Sequence, residues 1–255
     1  MEILNNSTLQ TILGAFLGAL LGWLFSLISS NPQKEFRNLT IVETKIIIKN
    51  RNIKSNSKDD SNDPTMILFS LLGIFIFATF SYIKYYIQIF EYLKLYEFFV
   101  LFFILTTIFF TIINKNMTSN EWVTRLIIPI IIFIITILVF NYLEKNINQK
   151  LISSANNSKM WDFISSLTSY GRSFLLYQLI SFLITLIVSI LSLLSFINYF
   201  SLMNLRGNKG IRTWYYIHKY TKIGSGIFYY VLSFLLLIIV ILIQSDWFKN
   251  TVLIN

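Results

Sequence analysis

The sequence predicts an all-α integral membrane protein of about six transmembrane helices, with one or two interfacial helices and a short lone β-strand in its first cytoplasmic loop. Three observations lead there. Hydrophobic residues make up 55% of the 255 and charged ones only 13%, well outside the balance of a soluble domain. Apolar stretches of span length recur along the chain, and about 20 residues at 1.5 Å each match the ~30 Å hydrocarbon core of a bilayer. The Lys and Arg, which give a net charge of +9, collect between those stretches. Placed there they set orientation and meet anionic headgroups, so membrane lipids are the expected partners and nucleic acid is not.

Residues 1–29 hold the first span, Leu9 to Ile28. Gly14, Gly18 and Gly22 share one face of it with Thr11 and Ser26, and Ala15 and Ala19 widen the strip. Such a glycine-zipper face lets two backbones approach closely in lipid, where association comes from packing. The preceding residues carry Glu2 and no basic side chain, unlike a cleaved signal peptide, so a retained anchor with its N-terminus outside is expected.

Residues 30–65 form a basic cytoplasmic loop. Within it LTIVETKIIIK, Leu39 to Lys49, alternates β-branched residues, with Val42, Thr44, Ile46 and Ile48 on one side as a half-buried strand requires. No second strand of like quality follows, and a lone strand leaves a row of unpaired backbone groups. One outlet is a homo-oligomer with Gly14, Gly18, Gly22, Val42, Ile46 and Ile48 at its interface. Another is the sheet of a soluble partner on the cytoplasmic side; the plainest alternative is an irregular basic loop. Ser55 to Pro64 reads as a polar tether.

Residues 66–143 carry three more spans, Met66–Ile83, Tyr96–Ile113 and Leu126–Leu143. Between the first two, Lys84, Gln88, Glu91 and Lys94 recur at helical spacing, which suggests an interfacial helix or the wet bend of a hairpin. One helix from Met66 to Ile113 would be about 72 Å long, too much for a bilayer. Pro129 is expected in the first turn of the fourth span, where its missing N–H costs little.

Residues 144–172 form a loop in which Met160 to Leu167 reads as a short interfacial helix anchored by Trp161. Residues 173–255 hold the spans Phe174–Phe200 and Gly226–Gln244 with a basic–aromatic loop between them, whose Arg212, Trp214, Lys219 and Lys222 are expected at lipid headgroups. Along the fifth span Gln178, Ser181, Thr185, Ser189 and Ser192 fall within about 80° of one another, a stripe suited to a pore lining or to helix contact, and Ser195 drifts off it. Counted by side, inside loops hold 14 Lys and Arg against 7 outside, which favours N-out and C-out.

Catalysis finds little to work with. The chain has no Cys, one His and 12 acidic residues. His218 lacks a second ligand at a metal spacing and is expected to point to headgroup or water. Arg206 to Gly210, RGNKG, lacks the strand–helix context of a phosphate loop. The ionisable residues are read as interfacial, with none mid-span, and no broken helices recur in two halves. No enzyme activity, cofactor or metal is therefore expected. The leading expectation is a non-enzymatic homo-oligomer that forms or gates a pore or senses the membrane. Such a bundle would suit a bacterial toxin or anti-phage system, and an Ile-, Asn- and Lys-rich composition suggests an AT-rich genome and a bacterial inner membrane. The alternative is an anchor that recruits a soluble partner through residues 39–49. A small-solute transporter comes third.

Overall fold

The structure, a computed structural model, describes residues 7–28, 64–113, 121–205, 211–222 and 226–245. The strand expected at 39–49, with Val42, Ile46 and Ile48, lies outside them. The regular structure of the described residues is helical throughout: α1 Ser7–Ile28, α2 Pro64–Lys84, α3 Tyr86–Ile113, α4 Glu121–Lys145, α5 Gln149–Asn157, α6 Met160–Ser166, α7 Ser169–Leu205, α8 Ile211–Thr221 and α9 Ile227–Gln244. Many of these stretches are rich in Ile, Phe and Tyr, which are middling helix formers in water. In lipid a helix satisfies every backbone group within its own segment, and that demand overrides propensity.

Three helices are long and apolar enough to cross a membrane, over Tyr86–Phe110, Leu126–Lys145 and Ser169–Leu202. Shorter apolar stretches lie at Thr11–Leu24, Gly73–Lys84 and Phe228–Gln244. The six full spans expected from the sequence are thus three among the described residues. Their outer surfaces suit hydrocarbon: Leu138 is 63% exposed and Phe228 81%.

Side-chain contacts fix the helix directions. Phe90 meets Phe182 with ring centroids 5.8 Å apart and Phe103 meets Phe196 at 5.9 Å, so α3 and α7 run parallel. Gln178 reaches Leu143, and Ser192 reaches Pro129, so α4 runs against α7. Gln244 meets Ser181 and Tyr230 meets Ser195, so α9 also runs against α7. The core lies among these helices, around Phe90, Phe140, Phe182 and Val188. A second cluster, around Val100, Phe133 and Phe196, continues it along α3, α4 and α7. At the end where α4 gives way to α7, α2 packs beside α5, α6 and the start of α7, with Phe80 against Phe163 at 5.8 Å.

Two expectations are corrected. The bend between the second and third spans is absent. Only Tyr85 separates α2 from α3, and helical hydrogen bonding passes through it, from Tyr85 N to the Ser81 carbonyl and from Ile89 N to the Tyr85 carbonyl, both 2.9 Å. The stretch from Lys84 to Glu97 is helix built into the core, because Tyr86, Phe90 and Leu93 between its charges are buried. Pro129, secondly, lies inside α4 and not in its first turn, since the helix begins at Glu121. A proline there deprives the carbonyl four residues earlier of its donor.

Candidate functional site

The glycine face of α1 is occupied by the chain itself. A Cβ added at Gly14 would sit 2.8 Å from the Leu95 carbonyl oxygen, and one at Gly22 would sit 2.7 Å from that of Phe103. At Gly18 it would overlap the Phe99 carbonyl outright. The partners advance in step, so α1 and α3 run parallel with backbones close enough for Cα–H···O contacts. The contact expected between copies at Gly14, Gly18 and Gly22 is a contact within one chain. Spacing alone could not name the partner, because any smooth surface satisfies a glycine groove.

The polar stripe of α7 is a seam that joins helices. Gln178, Ser181, Thr185, Ser189 and Ser192 are all buried, and the run continues through Ser195, Asn198, Ser201 and Asn204. Gln178 Nε2 donates to the Leu143 carbonyl at 3.0 Å, and Ser181 Oγ accepts from Gln244 Nε2 at 3.0 Å. Ser189 Oγ donates to the Tyr96 hydroxyl at 3.3 Å and Ser192 Oγ to the Pro129 carbonyl at 2.5 Å. Thr185, Ser201 and Asn204 bond back to carbonyls of their own helix, as short polar side chains do. The drift of Ser195 off the line has a physical reason: it meets Tyr230 of α9, 3.4 Å away, while Asn198 beyond it turns to α8. Of the two readings for the stripe, the hydrogen bonds describe helix contact.

The basic–aromatic loop is corrected in two places. Trp214 is 3% exposed and faces the bundle, not headgroups. His218 meets Asn198, whose Nδ2 lies 3.1 Å from its ring Nδ1 and also donates to its carbonyl at 3.1 Å. Lys219 and Lys222 are exposed, and the Arg212 side chain lies outside the described residues.

Sequence reasoning missed the group with the most chemistry. Glu97 lies one residue from the middle of the span Tyr86–Phe110 and is 6% exposed, among buried Leu93, Val100 and Ile104. Its Oε1 has no hydrogen-bond partner. Grouping it with Glu91 and Lys94 as interfacial hid this. On a helical wheel Glu97 falls within about 60° of Leu93, Val100 and Ile104, on the opposite side from Lys84 and Gln88. One turn earlier on α3, Lys94 Nζ pairs with Glu144 Oε1 of α4 at 2.5 Å, with side chains 43% and 30% exposed. Beside that pair, between α1, α3 and α4, is a cavity of about 480 Å³ whose wall includes Thr8, Thr11, Glu91, Lys94 and Glu144.

No protein-family model, curated protein or solved structure matches the chain. Function therefore rests on the site's own chemistry. Among the described residues no three His, Asp or Glu side chains gather as metal ligands. What the arrangement offers is a buried carboxylate one turn from a charged pair at the edge of a cavity whose walls mix polar residues with Ile87, Phe90 and Phe98. A carboxyl group there can gain or lose a proton.

Proposed function

We propose that the protein is a non-enzymatic membrane component that gates movement of protons or small monovalent cations, with Glu97 as the group on which the gate turns. One observation carries this reading: a carboxylate near the middle of a membrane-length helix is buried and keeps an oxygen without a partner. An ionisable side chain held at that depth is costly and marks ion or proton handling. The α7 hydroxyls of Thr185, Ser189, Ser192 and Ser201 are bonded to neighbouring helices or to their own backbone, so the route is placed elsewhere. It runs from the cavity between α1, α3 and α4, past Lys94 and Glu144, to Glu97. The glycine face is already filled, and the reading requires no second copy.

The reading keeps the six crossings as its membrane order. Consecutive crossings alternate in direction, and α3, α4, α7 and α9 do so. α1 is parallel to α3, so both can cross only if the chain between them crosses as well. Met66–Ile83 is the apolar stretch available there, and a crossing by it requires the helical run that passes through Tyr85 to bend in the bilayer.

Purified protein in liposomes carrying potassium and pH gradients tests the function. Vesicles containing the protein should lose a gradient faster than empty ones. Vesicles as tight as empty ones would overturn it.

A further inference from the structure

Where α2, α6 and the start of α7 meet, the bundle encloses a partly open cavity of about 190 Å³. Its walls are apolar, formed by Phe75, Phe80, Phe163, Ile164, Leu167 and Leu175. The one hydroxyl among them, on Thr79, donates to the Phe75 carbonyl at 2.8 Å and so offers no hydrogen to the contents. At roughly 30 Å³ per water the space would hold about six, but apolar cavities of this kind stay dry and take hydrocarbon.

One cation marks the rim. Arg172 lines the cavity and is the only charged side chain in the span Ser169–Leu202, of which it is the fourth residue. Its Nε donates to the Leu167 carbonyl at 3.1 Å, which holds the guanidinium at the mouth, and no acidic side chain pairs with it among the described residues. The level is that of a membrane surface: Trp161 and Tyr170, both shortly before Arg172 in sequence, are 67% and 47% exposed, as interfacial aromatics are.

We infer that this cavity is a binding site for one anionic phospholipid, with the end of an acyl chain between α2, α6 and α7 and its phosphate on Arg172. An apolar slot accounts for the chain and an unpaired guanidinium for a negative headgroup, which a planar fork binds in two-point fashion. The inference is independent of Glu97 and of any ion movement.

Native mass spectrometry of the detergent-solubilised full chain tests it, with phosphatidylglycerol and phosphatidylcholine of identical acyl chains as probes. The wild type should retain one phosphatidylglycerol with about five-fold preference, the factor expected from one basic residue at a charged headgroup. Arg172→Gln should abolish the preference and leave weak retention of both lipids. Leu176→Trp, at a half-exposed wall position where a larger ring is tolerated, should abolish retention of both. Lys150→Gln, which removes an exposed cation at the same end, should change nothing. Equal retention of the two lipids by the wild type, or an unchanged preference in Arg172→Gln, would overturn the site. So would a loss in Lys150→Gln equal to that in Arg172→Gln, since general surface charge would then explain it.

Discussion

Gln178 on α7 donates to the carbonyl of Leu143 on α4 at 3.0 Å, and Tyr86 on α3 donates to the same oxygen at 3.0 Å. Leu143 lies in the last turn of α4, where carbonyls have no helical donor. One orphan acceptor thus ties three helices at a single point. Because the oxygen has two donors, losing either leaves it satisfied. Gln178→Leu or Tyr86→Phe alone should cost about 0.6 kcal/mol, the usual size of an interhelical bond in membranes. Together they leave the carbonyl bare and should cost about 2–3 kcal/mol. A double-mutant cycle by denaturant unfolding in micelles reads the coupling, and simple additivity would show that the shared acceptor does not matter.

The two glycine environments should respond in opposite ways. Gly18→Ala places a methyl on the Phe99 carbonyl, a backbone atom that cannot step aside, and should destabilise by about 1–3 kcal/mol. Gly73 has nothing within 4 Å of an added Cβ, so Gly73→Ala should gain up to about 1 kcal/mol from helix propensity alone. Thermal unfolding of both variants checks the contrast. A neutral Gly18→Ala would mean that α1 does not rest on α3.

Sidedness follows from the parallel pairing. The chain has no Cys, so single cysteines introduced at Ser57 and Asn156 can be labelled cleanly in sealed vesicles. If α1 and α3 both cross, the two sites should react from opposite faces. Reaction from the same face would remove α2 from the crossings, and with it α1, which runs parallel to α3.

The sequence made the helical class legible through composition and through apolar runs of span length, and the short helix at 160–166 through its interfacial Trp161. It also marked the two surfaces that matter, the glycine groove of α1 and the polar stripe of α7, because both are periodic. What it could not supply was the partner of each. A glycine groove fits a neighbour in the chain as well as a second copy, and hydroxyls serve packing and water alike. Trp214 and Glu97 were misjudged for a related reason. Each belongs to a group of charged or aromatic neighbours that suggests an interface, and only the face of the helix on which it falls decides that it turns inward.

Burial of Glu97 without a full set of partners should weaken the fold. Glu97→Gln keeps the shape and cannot ionise, so at alkaline pH, where the buried carboxyl must carry its charge, its thermal midpoint should exceed that of the wild type by the equivalent of about 1 kcal/mol or more. A lower midpoint would show that the carboxylate is held by favourable contacts.

Gradient loss from liposomes containing Glu97→Gln, set beside wild type and the exposed-site variant Lys219→Gln, tests the central claim most directly. The account predicts at least ten-fold slower loss for Glu97→Gln, about 1.4 kcal/mol in barrier, with Lys219→Gln indistinguishable from wild type. Equal rates for Glu97→Gln and wild type, both faster than empty vesicles, would contradict it and move the route away from the buried carboxylate.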